Sequence, residues 1–296
     1  MSDYGHPLTF GTLLEPPTHA PLTVLRLAEA TERSALDLVS LADHPYWPQR
    51  LDTFTLLAAI AARTTTVRLL SNLANLPVRG PVMLSRIATT MDAISGGRFE
   101  LGVASGAQQL WASIVAEGGP ARTAGESVEA LAEGVHVIRS LWHDQEPVRF
   151  SGHHYQLDGA VPSPPAAHNI AIWLGAYQPR MLRLVGRLAD AWLPSSPIMP
   201  PEALTEANRV IDEAATVAGR APDQIRRAYN IAGHFGTGNG FLDGPPRVWA
   251  EQLAELTLRD GVSTYLLYRV ESADDIARFG HEVAPAVREL VAGGRT

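Results

Sequence analysis

Cysteine is absent from all 296 residues, which excludes disulfides, thiolate catalysis, Cys-ligated zinc and iron–sulfur clusters together. Charge is sparse, at 19% of residues, and its balance is negative, with a formal net charge of −7. A nucleic acid or an anionic membrane surface is disfavoured as partner, because both demand clustered cations; a small molecule is expected instead. No apolar run approaches the roughly 18 residues that span a bilayer, and the opening segment MSDYGHPLTF has no basic stretch followed by an apolar one. The expectation is a soluble, unprocessed, cytoplasmic chain.

Several catalytic signatures are missing too. There is no Gly-x-Ser-x-Gly elbow, no Walker-type loop ending in Lys, and no Gly-x-Gly-x-x-Gly after an early strand. The ten histidines show no metal-ligand spacing, and His153-His154 falls in a hairpin with no acidic partner nearby. No metal is expected.

What is present is a rhythm. With 46% hydrophobic residues the composition is that of a globular chain, and short apolar runs alternate with longer stretches of helical period. Runs at 8–13, 38–41, 67–71 and 99–103 precede helical patterns at 22–35, 53–63, 81–94 and 126–142. Runs at 170–174, 191–194, 227–231 and 264–270 precede 181–188, 202–218, 247–258 and 273–291. In the third helical pattern Leu84, Ile87, Met91 and Ile94 recur at spacings of three and four. Eight βα units predict a (β/α)8 barrel, closed and without edges, with an open doubly wound sheet as the alternative. Residues 1–296 are expected to form one barrel domain, interrupted at about 147–168 by an inserted hairpin and a proline-rich strap. A glycine-rich loop at 234–246, containing Gly236-Thr237-Gly238-Asn239-Gly240, is the other long irregular piece.

Barrel enzymes build their sites from the carboxyl ends of the strands, so the residues after each apolar run are the candidates. Asp43 and His44 follow the second run, with Tyr46 and Trp47 close behind. An imidazole there serves as acid, base or hydrogen-bond partner near neutral pH, the plain alternative being a His packed under a loop. Ser71 and Asn72 follow the third run and Ser105-Gly106 the fourth. Gly175-Ala176-Tyr177-Gln178 joins the fifth run to a helix opened by Pro179, leaving backbone N–H groups and a helix dipole for an anion, although small residues at such a junction also serve ordinary tight turns.

In order along the chain, Ala61-Ala62-Arg63-Thr64, Arg79-Gly80-Pro81, Met91-Asp92-Ala93-Ile94-Ser95-Gly96-Gly97-Arg98-Phe99, Gly152-x-x-Tyr155-x-Leu157 and Trp173-Leu174-Gly175-Ala176 resemble the bacterial-luciferase-like superfamily of flavin- and deazaflavin-dependent oxidoreductases. The resemblance spans nearly the whole chain. It implies a cis peptide in a bulge near Ser71-Asn72, a cofactor ring across the strand ends bound by Asp43, Ser71 and Asn72, its phosphate held by Ser105, Gly106 and the turn Gly175, Ala176, Tyr177, Gln178, and a homodimer. Asp43-His44 followed by an aromatic is similar to the branch that uses coenzyme F420, in which this His lies beside the reacting carbon and Trp47 lines the substrate pocket. The function implied is hydride transfer between F420 and a small organic substrate, with Asp43, His44 and Trp47 as catalytic residues. An FMN-dependent monooxygenase is the alternative, and a non-catalytic flavin-binding barrel a third. One departure bears on substrate: Ala107-Gln108-Gln109 stands where F420-dependent sugar-phosphate dehydrogenases carry an acidic residue.

Overall fold

In a computed structural model, residues 3–15, 17–238, 240–270 and 272–295 are described; Asn239 of the glycine-rich loop lies outside them. The first half of the chain builds β1 (Thr9–Leu14), α1 (Pro21–Arg33), β2 (Leu38–Leu41), α2 (Thr53–Ala61) and β3 (Arg68–Ser71). It continues through β4 (Ala74–Asn75), α3 (Leu76–Arg79), α4 (Pro81–Ser95), β5 (Phe99–Ala104), α5 (Trp111–Ala116) and α6 (Ala124–His143). The inserted hairpin is β6 (Val148–Ser151) and β7 (Gln156–Ala160). The second half adds β8 (Ile172–Leu174), α7 (Pro179–Leu188), β9 (Ala191–Trp192), α8 (Leu204–Val217) and β10 (Arg226–Ile231). It ends with α9 (Pro246–Asp260), β11 (Val262–Tyr268), α10 (Ala273–Arg278) and α11 (Ala284–Gly294).

Strands β3, β2, β1, β11, β10, β9, β8 and β5 are neighbours in that order, and β3 also pairs with β5. That last pairing closes eight parallel strands into a barrel and removes the open-sheet alternative. Closure requires both faces of every strand to be covered, and two apolar sets cover them. Leu38, Leu70, Trp173, Ala191, Ala228 and Leu266 fill the lumen, while residues of opposite parity, such as Val39, Leu69, Leu101 and Ile172, join the larger cluster under the helices. At Gly102 of β5 a Cβ would stand 2.1 Å from the Ser71 carbonyl oxygen, so only glycine lets β3 and β5 meet beneath the bulge. The bulge itself holds the cis Asn72–Leu73 peptide.

The lower mouth is plugged by charge. Glu100 pairs with Arg68, lies 3.3 Å from His168 Nε2 and accepts the Ala171 N–H at 2.6 Å, while His168 Nδ1 meets Asp92 at 2.7 Å. The opposite mouth is left for a ligand.

Three details differ from the sequence expectation. Ile94, assigned to the apolar stripe of α4, is 55% exposed, because the last turn buries Asp92 and Ser95 instead before the chain leaves at Gly96 in the left-handed conformation. The helix expected over 273–291 is interrupted by a π-helical turn at Phe279–Val283, where a Cβ on Gly280 would meet the Ser34 carbonyl oxygen at 2.2 Å. The tip at His153-His154 does have acidic partners: the Glu133 carboxylate of α6 accepts both backbone N–H groups, at 2.8 and 2.9 Å. No helix among the described residues is long and apolar enough to cross a membrane.

Candidate functional site

The chain leaves β2 at Leu41 and is pinned within two residues. Asp43, 3% exposed, accepts the Asn75 N–H at 2.9 Å and a two-pronged guanidinium contact from Arg79, Nε at 2.8 Å and Nη2 at 2.6 Å. Arg79 also reaches Asp52 at 2.7 Å, and its guanidinium, though burial works against the charge, is raised above its ordinary value by Asp43 and then Asp52. Both oxygens of Asp43 are therefore engaged, and the carboxylate acts as the clamp that ties the end of β2 to the β4–α3 corner.

That clamp presents His44. Its half-buried imidazole stacks on Trp47 at 4.1 Å between centroids and 29° between planes, and Nδ1 lies 3.0 Å from the Tyr46 hydroxyl. Burial pushes the imidazole below its ordinary value, with the Asp43 charge opposing. Burial likewise pushes Tyr46 up to about 12, against a hydrogen bond from Asn75. Near pH 7 the pair is thus a neutral imidazole and a protonated phenol.

On the next strand, Ser71 and Asn72 have different roles. Ser71 is fully buried, donates to the Gly102 carbonyl at 2.9 Å and accepts the Gly102 N–H at 3.1 Å; its side chain is spent on holding the bulge. Asn72 turns into the lumen, two residues beyond Leu70 on the same face. There its Nδ2 donates to Asn230 Oδ1 at 2.8 Å and Ser40 Oγ at 3.1 Å, and Asn230 Nδ2 returns a bond to Asn72 Oδ1 at 3.2 Å and reaches Ser195 Oγ at 3.0 Å. Burial raises Tyr177, whose hydroxyl hydrogen-bonds to Ser195. A buried polar chain, Tyr177–Ser195–Asn230–Asn72–Ser40, therefore spans the lumen from the end of β8 to β2 and forms the floor of the mouth. Ser40, Ser195 and Asn230 were missed in the sequence, where one polar residue inside an apolar run carries no signal of its own; the period-two alternation of β2 and β10 was the clue available.

Strands β5 and β8 are neighbours, which brings the two turns beyond them to one side of the mouth. Gly106 has φ +82, and a Cβ on it would strike Ile114 of α5 at 2.5 Å; one on Gly175 would strike Leu73 at 2.5 Å. The backbone is thus open toward the mouth and closed behind. Ala176 is buried, and its carbonyl accepts Trp192 Nε1 at 3.0 Å. Gln178 is the exposed N-cap of α7 and supplies no side-chain cap, while Pro179 follows. Ser105 is half-buried beside Gly106. Two indole donors, Trp173 Nε1 of the lumen and Trp111 Nε1 of α5, are buried without an acceptor.

A flat heterocycle bearing a phosphate fits these residues. The amide N–H groups of the floor are spent on one another and on the two serines, which leaves the second acceptor site of each amide oxygen for a ring; the orphaned indoles are donors, and the uncapped start of α7 with the open backbone of Gly106 and Gly175 suits an anion. The chain contains no lysine, which excludes a lysine Schiff base; among the described residues no three His, Asp or Glu side chains converge as a metal site.

The luciferase-like monooxygenase family model matches residues 7–238. A pyrimidine monooxygenase, RutA, of Variovorax paradoxus is 30% identical over 176 residues, covering 59% of this chain and 47% of that protein. The chain thus spans about half the length of that relative. An F420-dependent glucose-6-phosphate dehydrogenase of Nakamurella multipartita is 28% identical over 251 residues, 82% of this chain and 73% of that one. Among solved structures, an F420-dependent secondary alcohol dehydrogenase in complex with an F420-acetone adduct superposes with a TM-score of 0.83 at 18% identity, over 96% of this chain and 100% of that one, a likeness of fold. Closed barrel, strand-end site and family match agree: the chain belongs to the luciferase-like monooxygenase family.

Proposed function

We propose that this chain is an oxidoreductase that binds coenzyme F420 across its strand ends and transfers a hydride between it and a small organic substrate. One observation carries the reading: a neutral His44, backed by Trp47 and hydrogen-bonded to Tyr46, stands at the mouth above the Asn72–Asn230 floor. Bound there, the deazaflavin would supply a two-electron hydride donor or acceptor. The remaining work falls to the chain. Asn72 and Asn230 orient the ring edge, and Ser105, Gly106 and the Gly175-Ala176-Tyr177-Gln178 turn hold the phosphate. Tyr46 keeps its proton and hydrogen-bonds through it to His44 Nδ1, which leaves Nε2–H as the donor toward a substrate oxygen. The Asp43–Arg79 clamp holds the loop that carries His44, so Asp43 is assigned as a positioning residue. The same reading takes the working unit to be a cytoplasmic homodimer with one barrel domain per chain, a state that sedimentation of the purified protein would test.

The second reading, an FMN-dependent monooxygenase, is supported by the 30% identity to the RutA relative. It would use the same floor and phosphate turns. The kinetic test of the first reading is His44→Ala, for which we expect cofactor affinity to be kept and turnover to fall by about 100-fold, the scale of one general acid–base group. Unchanged turnover would remove His44 from the mechanism.

A further inference from the structure

Beside the mouth lies a cleft of about 640 Å³ that none of the site residues except Trp47 lines, large enough for a metabolite-sized ligand. It opens where β1 and β11 end. Strand β1 is four places from β8 around the barrel, so the cleft is diametrically opposite the Gly175 turn.

The polar wall of the cleft is a relay of contacts. Arg269 sits 5.5 Å above the Tyr268 ring, Tyr268 donates its hydroxyl to Glu15 at 3.3 Å, Glu15 pairs with Arg50, and Arg50 lies 5.9 Å over Trp47. Trp47 in turn stacks on His44. Glu15 is neutralised by two donors, and Arg50 is consumed by Glu15. Arg269 is exposed and has no carboxylate partner among the described residues. Its backbone is held at φ +59, a conformation unfavourable for a residue with a side chain and one that concentrates at binding sites. Among the described residues lining the cleft, Glu15 and Arg50 offset each other and the Arg269 guanidinium is left without a carboxylate. The other wall is apolar, formed by Leu14, Val24 and Leu27.

We propose that this cleft binds a small organic acid, with its carboxylate on Arg269 and its apolar body along Leu14, Val24 and Leu27, so that the end away from the carboxylate faces Trp47. The proposal deepens the oxidoreductase reading by naming the substrate class, and it rests on that reading only for calling the ligand a substrate. Binding itself needs no cofactor. Arg269 supplies a charge-assisted hydrogen bond that an alcohol of the same chain length cannot match; Trp47 closes the cleft toward His44.

The test is calorimetric titration of the cofactor-free protein with octanoate and, in parallel, with 1-octanol. Octanoate is expected to bind about tenfold more tightly than the alcohol, the scale of one hydrogen bond to a charged group. Arg269→Gln, at an exposed position, should remove that preference without altering the melting temperature, and Arg269→Lys should keep most of it. Thr23→Trp, which fills the cleft, should abolish binding of both probes. Equal binding of acid and alcohol, an unaltered preference in Arg269→Gln, or binding that survives Thr23→Trp would each overturn the proposal. Because cofactor titration is a separate measurement, any of these outcomes leaves the oxidoreductase reading standing, and loss of cofactor binding leaves the cleft standing.

Discussion

Asn72 and Asn230 lie on opposite strands of the barrel and exchange two amide hydrogen bonds, 2.8 Å from Asn72 to Asn230 and 3.2 Å in return. Both are nearly fully buried. A pair of this kind stays in a lumen otherwise filled with Leu, Ala and Trp only if every polar atom finds a partner, and Ser40 and Ser195 complete the set. The floor is consequently rigid. Removing one member strands the others.

Asn230→Ala should therefore cost about 1 to 3 kcal/mol, because the Asn72 and Ser195 groups lose their partner in a dry environment. Denaturant titration measures that loss. The same variant should weaken the cofactor, since Asn72 is then free to rotate out of register; a stable variant with unaltered cofactor affinity would show that the floor does not touch the ring.

Asp43→Asn tests the clamp. The bound Arg79 guanidinium loses its closest anion but keeps Asp52, so we expect a destabilisation of about 2 to 3 kcal/mol, somewhat below the penalty for wholly orphaning a buried charge. Turnover should fall with it while the acidic limb of the pH profile is kept but moves to lower pH, because His44 still titrates and loses the Asp43 charge that opposed its lowering. An acidic limb that stays in place or moves to higher pH would contradict the electrostatic role given to Asp43.

The acidic limb has a defined direction. Burial first, against the opposing Asp43 charge, lowers His44 below its ordinary 6.5 in the folded protein. Turnover that needs the neutral imidazole should then persist below pH 6.5 before it declines. Stability follows the same sign: between the folded value and about 6.5 the unfolded chain binds more protons, so the contribution is complete above pH 6.5 and is lost as pH falls. Urea midpoints of wild type and His44→Gln between pH 7 and 5 would check this, with the variant lacking part of the decline.

Glu32 gives a second pH-dependent contribution, at the opposite end of the barrel. Burial raises this carboxyl, but the backbone N–H groups of Thr66, Thr65 and Val67 and the Thr66 hydroxyl outweigh burial and hold it at about 2. Its contribution is present above its ordinary 4.5 and is lost as pH falls toward 2. After allowance for its partial exposure, Glu32→Gln should cost about 1 kcal/mol at neutral pH. The cost should vanish in strong acid, as urea midpoints there would show.

The barrel was legible because a parallel strand covered on both faces reads as an uninterrupted apolar run, and β2 occupies Leu38–Leu41 as expected. Closure was not legible from any one segment, since it depends on β3 meeting β5 across Gly102. His44, Asn72 and the Gly175 turn stood out by position at strand ends. The true partners of these residues did not: Arg79 is 36 residues from Asp43 and Asn230 is 158 from Asn72, distances over which only the folded chain brings polar groups together. Ser71 shows the converse, a strand-end hydroxyl that looked available and is consumed by Gly102.

Which cofactor this mouth holds decides between the two proposed activities. Titrating the purified protein separately with F420 and with FMN, and following quenching of each cofactor's own fluorescence, tests it most directly. Saturable F420 binding about tenfold or more tighter than FMN is expected, weakened by Asn230→Ala. Tight FMN binding with no response to F420 would contradict it and establish the monooxygenase reading in its place.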